Sequence, residues 1–169
     1  MNAISSHVHV PIVHPHLSTP DPRWLAIAPF RDSLELGAYD IAPGTARGHA
    51  RNLLREWGLS HLGDVAELII SELVTNSFHA TDEADWSAGR PPVRLWLRGD
   101  PRRLCVLAWD AVAILPAPRI ADQDDESGRG LAIVDTLSAE WGCYEASPPL
   151  GGKVTWALCG APWRDHPPG

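Results

Sequence analysis

The sequence is short of several things, and each shortage removes a class of protein. Its 169 residues include only three cysteines, Cys105, Cys143 and Cys159, and no Cys-x-x-Cys pair. An odd, scattered set argues against a closed disulfide framework and reads as buried thiols on strands. Basic charge is also scarce. With 14 Lys and Arg against 21 Asp and Glu, the net charge is −7, so the whole chain lacks the footprint for direct binding to nucleic acid or an anionic membrane. No uninterrupted apolar stretch approaches the ~18 residues of a membrane span, and Met1-Asn-Ala-Ile-Ser-Ser has neither the basic lead nor the apolar run of a signal peptide. A cytoplasmic placement is therefore expected. What is present is 44% hydrophobic residues, enough for one domain with a full core.

Residues 1–23 hold four histidines and four prolines without a period of 2 or 3.6, and read as an extended arm. The run His7-Val-His-Val-Pro-Ile-Val-His-Pro-His16 offers imidazoles but no Cys or carboxylate partner at fixed spacing, a weak metal-site signal. Residues 24–160 carry the periodic elements, and the Pro-rich tail 161–169 reads as frayed. Phe30 to Leu36 is predicted as an edge strand, followed by a helix with Pro43 in its first turn that ends near Trp57 and Gly58. A second helix is predicted from a Ser60 N-cap to about Ala80. There Leu62, Ala66, Ile69, Ile70, Leu73, Ser77 and Ala80 fall within ~100° of arc, a stripe that should face a sheet. Val93–Arg98 and Arg103–Trp109 suit a hairpin, Leu131–Leu137 an apolar helix, and Trp141–Ala146 with Lys153–Leu158 a last strand pair. This order predicts an α+β fold, helices on one face of a mixed, mostly antiparallel sheet.

Three groups of residues carry chemistry. On the second helix, Glu72, Asn76 and His79 form a polar stripe beside the apolar arc. The i, i+4 spacing lets an Asn76 oxygen ligate a hard cation while the Glu72 carboxylate reaches a neighbouring water or hydroxyl; any solvated helix face can show the same pair. Asp110 stands at a strand end, where it is either a turn-former or an acceptor for a ligand amine. Ser127-Gly-Arg-Gly130 precedes a helix, and its glycines allow backbone amides to approach phosphate while Arg129 adds a charge.

Taken in order, these groups resemble the nucleotide site shared by gyrase, the MutL repair proteins and histidine kinases. More closely, Ala66-Glu-Leu-Ile-Ile-Ser-Glu-Leu-Val-Thr-Asn-Ser-Phe-His-Ala80 and Glu126-Ser-Gly-Arg-Gly-Leu-Ala-Ile-Val-Asp135 resemble the anti-sigma-factor serine/threonine kinase branch of that family, over roughly residues 46–158. The resemblance implies the Bergerat ATP-binding fold, a two-layer α/β sandwich. It implies ATP and Mg²⁺ as ligands, with Glu72 as general base and Asn76 as the Mg²⁺ ligand. Asp110 would select adenine, Ala111 to Glu126 would form the lid, and Gly128, Arg129, Gly130 and Leu131 would surround the phosphates. A sigma factor, an antagonist protein, or both would be partners, and a homodimer is common in the branch.

This sequence departs from the pattern twice. Asp110-Ala-Val-Ala-Ile-Leu-Pro116 replaces a small polar interior with apolar residues. In the last strand Val154 stands where a Thr assisting the adenine contact is usual, with Thr155 one place on, and a one-residue offset turns a side chain to the opposite face. Two activities remain open. One is a serine/threonine kinase acting on the antagonist and sequestering a sigma factor; the other is an ATP-dependent binding module without appreciable transfer. A histidine kinase would need a helical dimerisation segment and a gyrase-type ATPase a transducer domain.

Overall fold

The computed structural model describes residues 17–115 and 126–163, and for residues 126–129 the backbone alone. The His-rich run to His16, residues 116–125 and the tail from residue 164 lie outside the described residues. The elements are α1 Pro22–Ile27, β1 Phe30–Leu36, α2 Ala42–Glu56, a 3₁₀ turn Ser60–Leu62, α3 Gly63–Glu83, β2 Val93–Asp100, β3 Arg103–Asp110, α4 Glu126–Leu137, β4 Glu140–Glu145 and β5 Lys153–Gly160.

The strands form one sheet in the order β1-β2-β3-β5-β4, and every neighbouring pair is antiparallel. The parallel component is an isolated bridge from Leu17 to Cys143. β5 enters between β3 and β4 because the Ser147–Gly152 connection returns the chain into the sheet, where Lys153 pairs with Asp110. β1 is an edge strand, as its sequence predicts.

α2, α3 and α4 cover one face. Alternation on β2 buries Val93, Leu95 and Leu97, which meet Ala66, Ile69, Ile70 and Leu73 of α3 and Ala42, Ala46, Ala50 and Leu54 of α2 in one core. The alanine row on α2 lets it approach α3 closely, and Arg47 Nη1 donates to Ser71 Oγ at 2.7 Å across that seam. The expected N-cap at Ser60 is not made. Ser60 instead opens the 3₁₀ turn, α3 starts at Gly63, and Leu62 caps it without a side-chain hydrogen bond. The buried stripe of α3 also includes Val74 and ends at Thr81 rather than Ala80.

The opposite face is not bare. Its side chains, Cys105, Leu107, Trp109, Val154, Trp156 and Leu158, are buried beneath Trp24 and Ala28, so α1 lies on the side away from the three longer helices. Asp21 caps α1, accepting from the Arg23 amide at 2.9 Å, with Pro22 in the first turn. Residues 17–23, expected in an extended arm, are thus docked: Trp156 Nε1 donates to the Ser18 carbonyl at 2.7 Å. At the other end Trp163 packs against Trp24 with ring centroids 4.9 Å apart, and Arg103 Nη1 donates to the Pro162 carbonyl. The three cysteines lie on β3, β4 and β5, all buried and free. Among the described residues no helix is long and apolar enough to cross a membrane.

Candidate functional site

α3 packs on β3 and β5 and against α4, so its polar stripe shares the helix-covered sheet face with the end of β3 and the start of β5. Glu72 and Asn76 are both half-buried, one turn apart. Gly130 lies directly against Glu72: a Cβ there would fall 2.5 Å from Glu72 Oε2. A side chain at position 130 would push the flexible end of Glu72 aside. Burial raises the Glu72 pKa above its ordinary value of 4.5, which suits a carboxylate that takes up a proton.

Asp110 is fully buried at the end of β3. Oδ1 accepts from Lys153 Nζ at 2.7 Å and from the Val112 amide at 3.1 Å. Lys153 was not among the predicted residues. It stands 43 positions away along the chain and reaches Asp110 only because the two are cross-strand partners. Burial is the largest influence on Asp110 and raises its pKa, while Lys153, the Val112 amide and Ser77 pull it down. The second oxygen, Oδ2, is buried and meets no hydrogen-bond partner among the described residues.

Asn76 Nδ2 and Thr155 Oγ1 share that condition, as does Arg103 Nε, which faces Asp100 at 3.3 Å; Ser77 Oγ makes no hydrogen bond of ordinary geometry but acts on the Asp110 carboxylate closely enough to lower its pKa. The register explains the company they keep. Thr155 pairs with Ala108 and Lys153 with Asp110, so Thr155, Lys153 and Asp110 point to the helix-covered face while Val154 joins the opposite core. Thr155, not Val154, is therefore on the Asp110 side. Buried polar atoms in folded proteins almost always have partners, and Asn76 Nδ2, Asp110 Oδ2 and Thr155 Oγ1 have none among the described residues.

Gly152 seals the far side. Its φ of +70° and its close approach to the Asp110 carbonyl leave no room for a side chain. Trp109 Nε1 donates to Gly151 O at 2.8 Å, holding the same loop. α4 begins at Glu126 rather than Leu131, so Gly128 and Arg129 sit in its first turn and Gly130 opens its second, instead of lying ahead of it. The side chain of Arg129 and the central part of the expected lid lie outside the described residues. Leu131 packs against the core. His79 is half-buried, its ring 5.3 Å from that of Phe78. Among the described residues no group of three or more His, Cys, Asp or Glu side chains is placed to hold a metal. Searches against protein-family models and curated proteins give no match for this chain.

Proposed function

We propose that this end of the sheet binds ATP with Mg²⁺ in the manner of the Bergerat fold. The observation that carries the reading is the set of buried, unpartnered atoms Asn76 Nδ2, Asp110 Oδ2 and Thr155 Oγ1. A carboxylate oxygen and a hydroxyl on the same sheet face of neighbouring strands suit the amino group and ring nitrogen of adenine. A half-turn of the Asn76 amide puts an oxygen where its nitrogen stands, and that oxygen would ligate Mg²⁺, which takes few protein ligands when phosphates and water supply the rest. The first-turn amides of α4 favour phosphate.

Within that reading Glu72, drawn against Gly130, is the base that accepts a hydroxyl proton as the γ-phosphoryl group leaves. We infer a serine/threonine kinase that modifies an antagonist protein and acts as an anti-sigma factor in a bacterial partner-switching system. Calorimetry should show Mg-ATP binding at submillimolar nucleotide and at least a tenfold preference over Mg-GTP, with Thr155→Val and Asn76→Ala each weakening it. No binding at millimolar ATP overturns the site. With labelled ATP and the antagonist protein, Glu72→Gln should keep binding and lose transfer. Binding without transfer in the unaltered chain would instead identify an ATP-dependent binding module.

A further inference from the structure

We propose that the opposite sheet face holds a second site, for a small amphipathic anion: a carboxylate or phosphate monoester on an aliphatic or aromatic body, gripped by Arg31 and Arg98. The register places these two arginines directly across from each other on β1 and β2, and like charges so placed destabilise a sheet unless something offsets them. The acids of this face are committed elsewhere. Glu35 accepts from Arg94 at 3.1 Å. Asp100 takes Arg103 at 3.3 Å and the Trp24 indole at 2.7 Å. Asp32 faces the helices, 2.6 Å from His49. Among the described residues no carboxylate pairs with Arg31 or Arg98.

Both guanidiniums are nevertheless held in place, by backbone carbonyls. Arg31 Nε donates to Ala28 O at 2.9 Å and its Nη2 donates to Ala26 O. Arg98 Nη1 donates to Asp32 O and Leu97 O, each at 2.9 Å. Carbonyls orient a guanidinium without cancelling its charge, and each arginine keeps N–H groups beyond those used. Burial, then the charge of Arg31, lowers the Arg98 pKa, and the charge of Asp32 opposes them only in part. Beside the pair lies a groove of about 430 Å³ walled by Pro22, Leu25 and Ala26 of α1 and by Trp96 and Leu107 of the sheet. That volume belongs to small-molecule sites, roughly 300–1,000 Å³. Apolar walls with two oriented cations at one edge ask for a ligand with an apolar body and an anionic head. The site shares no residue with the nucleotide site on the helix-covered face.

The test is calorimetry on the full chain with decanoate, kept below its micelle-forming concentration, and with phenyl phosphate. Saturable one-site binding is expected for at least one of them. The neutral isostere decanamide should bind at least ~tenfold more weakly than decanoate, and Arg31→Gln and Arg98→Gln should each cost a bound anion ~tenfold, the scale of a lost charge-assisted hydrogen bond. Ala26→Trp, which fills the groove from an exposed position and keeps both arginines, should abolish binding; with Arg31→Gln it carries the test if Arg98→Gln does not fold. The site is overturned if neither probe saturates, if decanamide binds as well as decanoate, or if Arg31→Gln leaves affinity unchanged. Binding to phosphatidylglycerol vesicles but not to monomeric amphiphile would overturn it in favour of a membrane surface.

Discussion

Asp110 and Lys153 are each almost wholly buried and depend on each other, 2.7 Å apart. Removing one partner of a buried ion pair leaves an uncompensated charge and costs about 3–5 kcal/mol, whereas replacing both with apolar residues of similar size is often neutral. Urea denaturation should therefore show Asp110→Asn and Lys153→Met each strongly destabilised, and Asp110→Leu/Lys153→Met close to the unaltered protein. A double variant as weak as the singles would refute the coupling. In the proposed nucleotide site, Asp110 would then offer the ligand one oxygen, Oδ2, because Lys153 holds the other.

Glu72 supplies the pH-dependent term. Its pKa is raised from 4.5 by burial, so folding favours the protonated form. The stability it contributes is fully present below its unfolded pKa and is lost as pH rises through the higher folded value. Glu72→Gln removes that loss. Its Tm should match that of the unaltered chain near pH 4 and exceed it at pH 7; a Tm difference that stays constant across this range would show that burial of the carboxylate is not the cause. The chain would then keep at neutral pH a residue that weakens the fold, as expected of a group retained for chemistry. This residue and Asn76 were legible as a spaced pair on a helix, because helical geometry is local. Lys153 was not legible, because only the pairing of β3 with β5 makes it a neighbour of Asp110.

At the scale of elements, two glycines set the distances on which the site depends. Gly130 brings the N-terminal part of α4 against Glu72, and Gly152 brings the β4–β5 connection against the Asp110 carbonyl. Their replacements should separate. Gly130→Ala gains up to ~1 kcal/mol of helix propensity but drives the Glu72 carboxylate aside, so Tm should hold or rise while any Glu72-dependent activity falls. Gly152→Ala meets backbone rather than a flexible side chain and requires φ near +70°; a loss of about 1–3 kcal/mol is expected in chemical denaturation. The elements themselves were largely readable. The period-2 run Val93–Arg98 and the apolar stripe of α3 appear where predicted. The start of α3 did not, because Ser60 is spent on a 3₁₀ turn, and α4 begins five residues early because its glycines tolerate helical geometry as well as a loop.

At the scale of the molecule, two cores sit on the two faces of one sheet, and the second depends on chain from both ends of the described fold. Trp24 is buried over β3 and β5, donates to Asp100 and packs on Trp163. Trp24→Ala should cost about 3–5 kcal/mol, measurable by urea denaturation, and should also loosen the wall of the Arg31/Arg98 groove. No periodicity marked this face. α1 is a single short helix of 6 residues, and residues 17–23 have no repeating pattern, so their docking depends on the aromatic surface they cover.

The sequence by itself determined the α+β class, the edge strand, the amphipathic helix and the polar pair Glu72 and Asn76, because each follows from periods of two or 3.6 residues within a short window. Only the tertiary structure decided that β5 lies between β3 and β4. That placement joins Lys153 to Asp110 and turns Thr155 rather than Val154 toward it, and the register of β1 on β2 sets Arg31 against Arg98. Such contacts depend on which strands pair and in what register, a choice made by the whole core.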